Sequence, residues 1–494
     1  MIKNYKWLML LALGFVACDS DDDNGTVTEE PLSAGTADFT RYVALGNSLT
    51  AGFSDNALFR KGQENSYPNI LAQQFAMVGG GTFNVPFVGP DNIGGLLLGG
   101  NVIQGPRLAI LGFAGGTPQI GPLPATPMTD ITQTVAGPVN NMGVPGAKSF
   151  HLLAPGYGNI AGVPTGQANP YFARFASSAT ASVIGDAVAQ NPTFFSLWIG
   201  NNDVLSYATS GGVGTNQAGN PNPASYGSND ITDPGVFGQV YGTLVDQLTA
   251  NGAKGVVANL PYVTSIPFFR TVPYNPVPLD ETTANQLNAG YAVYNNGLQT
   301  AVSLGAITEE EATRRTINFA AGNNAVVIVD SYLTNLSAFG IPSYREATAQ
   351  DLIVLPARNF IGTTVGGNPM MVNGVSVPLA DNWVLSKDEV AEVKTATDAF
   401  NASIKSIADA KGLAFVDANA LLQQLASTGI RFGTFHMTAS FVTGGAFSLD
   451  GVHPSARGYA LIANEFLKAI EETYGANFNE IKPEDYQIQY PAQM

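Results

Sequence analysis

The chain is predicted to be an α/β protein built on a parallel sheet. Two observations carry that prediction. Apolar, strand-like runs alternate with stretches of helical periodicity through most of the 494 residues. The run at 193–199, Thr-Phe-Phe-Ser-Leu-Trp-Ile, is nearly continuous in apolar residues, as expected of a strand covered on both faces. The length suffices for one large domain or two ordinary ones.

Ordered structure is expected from about residue 37. Residues 41–45 read as the first strand, ending in Gly46-Asn47-Ser48-Leu49-Thr50. Ser66-Tyr67-Pro68 opens a helix with Ile70, Leu71, Phe75 and Val78 at near-helical spacing, and proline suits a first helical turn. Residues 79–137 are rich in Gly and Pro and weak in periodicity. They read as a long loop or lid-like insertion with at most short strands. Asn140-Asn141-Met142-Gly143-Val144-Pro145-Gly146-Ala147 closes that insertion.

A helix at 179–190 leads to the strand at 193–199, which runs into Gly200-Asn201-Asn202-Asp203. After a second Gly/Asn-rich stretch at 209–233 come a helix at 237–251 and a strand at 255–260. Residues 261–383 interrupt the pattern and read as an insertion or cap. It carries helices near 285–304 and 309–321 and short apolar runs at 325–329 and 351–355. The core resumes with a helix at 386–411, opened by Ser386 and closed by Gly412, then a strand at 413–416. Residues 455–474 form the last helix, with Tyr459, Ile462, Phe466 and Ile470 on one face, and 479–494 a C-terminal tail. No internal repeat is evident.

Charged residues make up only 12% of the chain and the net charge is -16. No cluster of Lys or Arg stands against that acidity, which excludes a nucleic-acid partner. The N-terminus reads as a targeting segment over residues 1–17. Lys3 and Lys6 precede an apolar stretch at 7–17 that is too short to span a bilayer. It ends Phe15-Val16-Ala17-Cys18, which resembles a lipobox with Phe15 where leucine is usual. Cys18, the only cysteine, is the expected lipidation site, and no internal disulfide is possible. Residues 18–36 begin with an acidic run too polar to fold and read as a flexible tether. An EF-hand reading of that run fails, because Ser20 stands where an acid is needed and Pro31 falls at the twelfth position. The acidic run after the cysteine also resembles the export signal of bacterial surface lipoproteins. The expected location is therefore the outer membrane, through a lipid anchor, either surface-exposed or periplasmic.

The chemistry concentrates in a few short segments. A serine at the end of a strand, flanked by small residues, can hold its hydroxyl clear of the backbone, as an acyl-transfer nucleophile requires. The chain has three histidines, His151, His436 and His453. In Asp450-Gly451-Val452-His453-Pro454 the acid precedes the imidazole by three residues on a turn entering a helix. Its carboxylate can fix the ring tautomer and leave Nε2 free to take a proton from a serine. Backbone N–H groups at Ser48 and Gly146 and the Asn202 side-chain amide are candidate donors to an oxyanion.

In order and residue type, these segments resemble the blocks of the SGNH (GDSL-type) esterase and lipase family. Gly46-Asn47-Ser48-Leu49 is similar to the first block, Gly143-Val144-Pro145-Gly146 to the second, Gly200-Asn201-Asn202-Asp203 to the third, and Asp450-Gly451-Val452-His453 to the fifth. Asn47 stands where that family carries aspartate. The resemblance covers residues 38–74, 139–260 and 386–474, and implies a three-layer α/β/α sandwich with a flavodoxin-like parallel sheet. It implies hydrolysis of carboxylic esters with Ser48 as nucleophile, His453 as general base and then acid, and Asp450 as its orienting partner. Ser48, Gly146 and Asn202 then form the oxyanion hole, and no metal or organic cofactor is required.

Three functions compete on these residues. The first is an esterase for lipid-like or short-chain acyl esters. The apolar segments 96–98 and 108–113 could line its acyl pocket, although plain packing over the sheet edge explains them better. The second is a surface carbohydrate esterase that removes acetyl groups from a glycan, with Trp198 and Trp383 available for stacking. The third is a non-catalytic binding lipoprotein, for which a retained Asp450 and His453 have no use.

Overall fold

The computed structural model describes residues 31–432 and 434–492. The expected signal peptide, Cys18 and most of the tether lie outside the described residues.

Five strands form one all-parallel sheet: β1 (Tyr42–Gly46), β2 (Asn141–Gly143), β3 (Phe194–Trp198), β4 (Lys254–Ala258) and β5 (Ala414–Val416). Their order is β5-β4-β3-β1-β2, with β1 in the interior where the order reverses. Every residue of β1 and β3 is buried, so helices cover both faces. Four of these strands follow the sequence reading. The fifth, β2, does not, because Asn-Met-Gly carries no strand pattern. It pairs because its neighbour accommodates it: a Cβ on Gly143 would sit 2.2 Å from the Ala51 nitrogen.

The helices that matter here are α1 (Ser48–Ala51), α2 (Tyr67–Ala76), α3 (Val183–Val188), α4 (Asn202–Thr209), α5 (Pro234–Thr249), α6 (Glu281–Ser303), α7 (Glu309–Arg315), α8 (Lys387–Lys411), α9 (Ala418–Ser427) and α10 (Ala456–Tyr474). Caps set several of their bounds. Asp233 accepts from the Val236 N–H, so α5 starts three residues before the expected 237, with Pro234 in its first turn. Ser182 caps α3, which is shorter than the expected 179–190. Ser386 and Glu389 form a capping box on α8, and Gly412 closes it at φ +61°. Helix α7 stops at Arg315, short of the expected 321, and α9 is an addition to the sequence reading.

Aromatic packing ties the layers to the sheet. Phe39 stacks on Phe75 of α2 at 4.0 Å and meets Phe194 of β3 at 4.7 Å, while Phe237 of α5 stacks on Phe400 of α8 at 4.2 Å. Each such ring contributes about 1.5–3 kcal/mol by burial.

The 79–137 insertion is more ordered than its composition suggests. Leu96–Leu98 pairs with Asn101–Gln104, and Leu108–Ala114 pairs with Thr117–Pro122. The second hairpin turns at Gly115-Gly116, both at positive φ, a turn signal visible in the sequence. Within 261–383, α6 and α7 are joined by short antiparallel pairs, among them Val327–Val329 with Tyr344–Glu346. Arg345 there sits between two carboxylates, with Nε 2.5 Å from Asp330 and Nη1 and Nη2 each 2.7 Å from Asp351.

The edges of the body also differ from expectation. Ser33 exchanges backbone hydrogen bonds with Asn477, so order begins inside the expected tether. The stretch from 479 packs on the domain: Ile481 and Tyr490 are buried, and Arg107 donates to the Tyr490 and Pro491 carbonyls. Among the described residues no helix is long and apolar enough to cross a membrane.

Candidate active site

Ser48 opens α1 at the carboxyl end of β1. The turn between them is tight, because a Cβ on Gly46 would lie 2.1 Å from Thr50 Oγ1 and 2.4 Å from the Trp198 carbonyl. Asn47 caps α1, its Oδ1 accepting from the Leu49 N–H at 3.0 Å, and its Nδ2 donates to Asn201 Oδ1 at 3.1 Å. That second bond links the first and third blocks directly, and an aspartate at 47 could not donate it.

The Ser48 hydroxyl lies 2.9 Å from His453 Nε2, and His453 Nδ1 lies 2.8 Å from Asp450 Oδ2. The structure thus brings together two segments 405 residues apart. Ser48 is 7% exposed and the His453 side chain 13%, so both are reachable yet largely shielded from water. The imidazole packs against the Phe53 ring at 4.7 Å, and Phe53 is held by the Tyr459 hydroxyl of α10, which donates to its carbonyl at 2.7 Å.

Asp450 is saturated with donors. Its Oδ1 accepts from the Val452 and His453 N–H groups, each at 2.8 Å, and from the Ser448 hydroxyl at 3.0 Å; Oδ2 also accepts from the Asn56 N–H at 2.9 Å. Burial pushes its carboxyl up, but His453 and these donors outweigh burial and hold it at about 2. The group therefore stays anionic wherever the imidazole works.

Beneath it lies a second carboxyl that the sequence reading missed. Asp55 accepts from the Leu449 N–H at 2.9 Å, and its own N–H donates to Ser448 Oγ at 2.9 Å. Its Oδ2 has no hydrogen-bond partner and faces Arg107 Nη1 only at 3.6 Å. Burial pushes this carboxyl up to about 7, against the Leu449 N–H; Asp450 adds to the rise and Arg107 opposes it. Asp55 and Asn56 both adopt positive φ, +50° and +63°. That run of an acid and an amide at the foot of the first block was the available signal.

The expected oxyanion donors leave the sheet at the same level. Gly46 is in register with Gly143 on one side and Trp198 on the other. The Val144 N–H donates to the Gly46 carbonyl at 2.9 Å, and Gly146 follows at φ +81°, a conformation that suits glycine. The Asn202 Nδ2 donates to the Ala147 carbonyl at 2.9 Å, which joins the second and third blocks and leaves its other hydrogen free. Ser48 and Asn202 line the same cavity.

The other two histidines make only local contacts. His151 accepts from the Lys148 N–H at 3.0 Å and stacks on Tyr157 at 4.6 Å, and burial holds its imidazole down at about 4. His436 Nε2 lies 2.9 Å from the Thr428 carbonyl. The tryptophans suggested for sugar stacking are also engaged. Trp198 is 3% exposed with its N–H on the Asn259 carbonyl at 3.0 Å, and Trp383 stacks on Phe360 at 4.4 Å.

Two cavities open on either side of the Ser48–His453 pair. A broad one of about 590 Å³ touches His453, Asp450, Leu108, Thr117–Ile120 of the hairpin, and Arg358. A narrow one runs from Ser48 across the carboxyl ends of β1, β3, β4 and β5 toward α9 and α10. Residues 96–98 line neither: Leu96 is buried in a small core with Phe53 and Leu58, as plain packing requires. Comparison with family models, with curated proteins and with solved structures finds no match to this chain.

Proposed function

We propose that this protein is a serine ester hydrolase of the SGNH type. The observation that supports the reading best is the unbroken relay from Asp450 through His453 to Ser48, at 2.8 and 2.9 Å. The strand order also favours it. Numbered along the chain it is 2-1-3-4-5, the flavodoxin-like order of doubly wound sheets, in which ligands bind outside the carboxyl ends of the strands at the point of reversal.

In this reading His453 takes the Ser48 proton as the hydroxyl oxygen attacks the ester carbonyl. The Ser48 and Gly146 N–H groups and the free hydrogen on Asn202 Nδ2 meet the developing oxyanion. Collapse of the tetrahedral intermediate breaks the bond to the alcohol oxygen, which leaves with the proton from His453. Water, deprotonated by the same imidazole, then attacks the acyl-enzyme and regenerates Ser48. Asp450 stays anionic and stabilises the imidazolium at each step. The relay needs no metal or organic cofactor. Membrane attachment is through lipid on Cys18, at the bacterial outer membrane.

Ser48→Ala is expected to lower turnover of an aryl ester by roughly 10⁴-fold or more while the melting temperature is unchanged. Equal turnover in the variant rejects the assignment. A serine-directed phosphonate should label Ser48 covalently, whereas a binding protein that had lost catalysis would not react. A second reading, removal of acetyl groups from a glycan, draws on the breadth and polarity of the cavity beside His453.

A further inference from the structure

We infer that the narrow cavity is an acyl-chain slot, and that the substrate class is esters of unbranched apolar acids of medium chain length. The inference rests on Ser48 being the acyl acceptor. Apart from the Trp198 indole, the polar side chains on the wall of this cavity, from Asn47, Ser48, Asn201, Asn202 and His453, cluster at its reacting end, just past β1 and β3 and on the turn into α10. Asn47 Nδ2 donates to Asn201 Oδ1 there, Asn47 Oδ1 accepts from the Leu49 N–H, and the indole N–H of Trp198 is spent on the Asn259 carbonyl. The other residues of the wall carry apolar side chains or none. Leu49, Leu205, Leu421, Phe447, Val452 and Ile462 are half-buried around this space, an apolar surface left open beside a nucleophile.

The proportions select the guest. The slot has a volume of about 90 Å³, against about 590 Å³ in the neighbouring cavity. A single methylene chain fits the former, while a sugar ring or branched headgroup needs the latter. Chemistry assigns the two sides the same way. The alcohol departs with the proton held on His453 Nε2, and the broad cavity touches His453 and Asp450 but not Ser48. The acyl portion stays bonded to Ser48, whose side chain opens on the slot. Helix α9 supplies much of the wall through Leu421, Leu422 and Leu425, so chain-length preference is set there rather than by the 108–122 hairpin.

The test is a series of aryl esters from acetyl to dodecanoyl with the full chain. We expect kcat/KM to rise about fourfold per methylene, equivalent to ~0.8 kcal/mol, up to about hexanoyl and then to level. An acetyl optimum that still requires Ser48 overturns the slot and leaves the hydrolase standing. No turnover together with no phosphonate labelling removes both. Leu421→Trp, which fills the slot from a half-buried position, should lower the octanoyl-to-acetyl ratio at least tenfold. If that variant does not fold, Leu421→Ala should move the optimum to longer chains. A folded variant of either kind with the wild-type chain-length profile overturns the inference.

Discussion

Two buried arginine–aspartate contacts in this protein have opposite outcomes. In the 261–383 insertion, Arg345 gives all three guanidinium nitrogens to Asp330 and Asp351, and Asp351 also accepts from the Thr348 N–H at 2.7 Å and the Lys387 N–H at 2.9 Å. Below the turn that carries Asp450 and His453, Arg107 spends its donors on the carbonyls of Asn92, Leu108, Tyr490 and Pro491, and reaches Asp55 only at 3.6 Å. All of these side chains are about 1–2% exposed or less. Burial raises both carboxyls, yet Arg345 and its neighbours bring Asp351 below the ordinary value while Asp55 stays near 7. The number of donors within hydrogen-bond reach, not burial or the presence of an arginine, decides which carboxyl ionises. Asp450, with five donors, belongs with Asp351.

Three variants sharpen that contrast. The largest effect is expected at Asp450→Asn. The amide places N–H where the imidazole needs an acceptor, the ring takes the wrong tautomer, and kcat should fall about 10⁴-fold. A loss under tenfold in steady-state assays would mean that Asp450 does not orient His453. Next is Arg345→Met, which strands two buried carboxylates and should cost about 3–5 kcal/mol in urea unfolding. A cost under about 1 kcal/mol would show that the cluster is no better satisfied than Asp55.

The smallest effect is expected at Asp55→Asn. Asparagine tolerates the left-handed backbone at 55 and keeps an acceptor for the Leu449 N–H. An unfolded aspartate titrates near ~3.9, whereas Asp55 in the fold keeps its proton to about 7. Between those values the folded state binds the proton more tightly than the unfolded chain. Stability from this group therefore falls as pH rises through the window and is flat above it. The variant lacks that slope, so from pH 5 to pH 8 it should gain roughly 2–3 kcal/mol relative to wild type. Parallel pH profiles of the unfolding midpoint would refute this.

What the sequence made legible follows from distance along the chain. Strands β1, β3, β4 and β5 announce themselves by apolar runs, and α8 by its capping box. The relay was legible because Asp450 and His453 are local to each other and Ser48 ends a strand. Strand β2 was not, since three residues carry no period and its place is fixed by how closely glycine lets α1 approach. Helix α9 was missed although its cap, Asp417 on the Ala420 N–H at 2.9 Å, and its leucines were in plain view. Asp55 and Arg107 meet from segments of low periodicity, so nothing in either marks the other. The same holds for the slot, whose wall is assembled from the ends of four strands and from four helices.

Finally, the body has a polarity. The described chain begins at the amino edge of the sheet, where Ser33 pairs with Asn477 and Lys254 Nζ donates to the Thr36 carbonyl at 2.5 Å. The Ser48 hydroxyl is at the opposite rim, roughly 16 Å away across five residues of strand at ~3.3 Å each. The first described residues and the Ser48 hydroxyl therefore lie at opposite rims of the sheet, so the mouth of the slot is clear of the segment where the body begins.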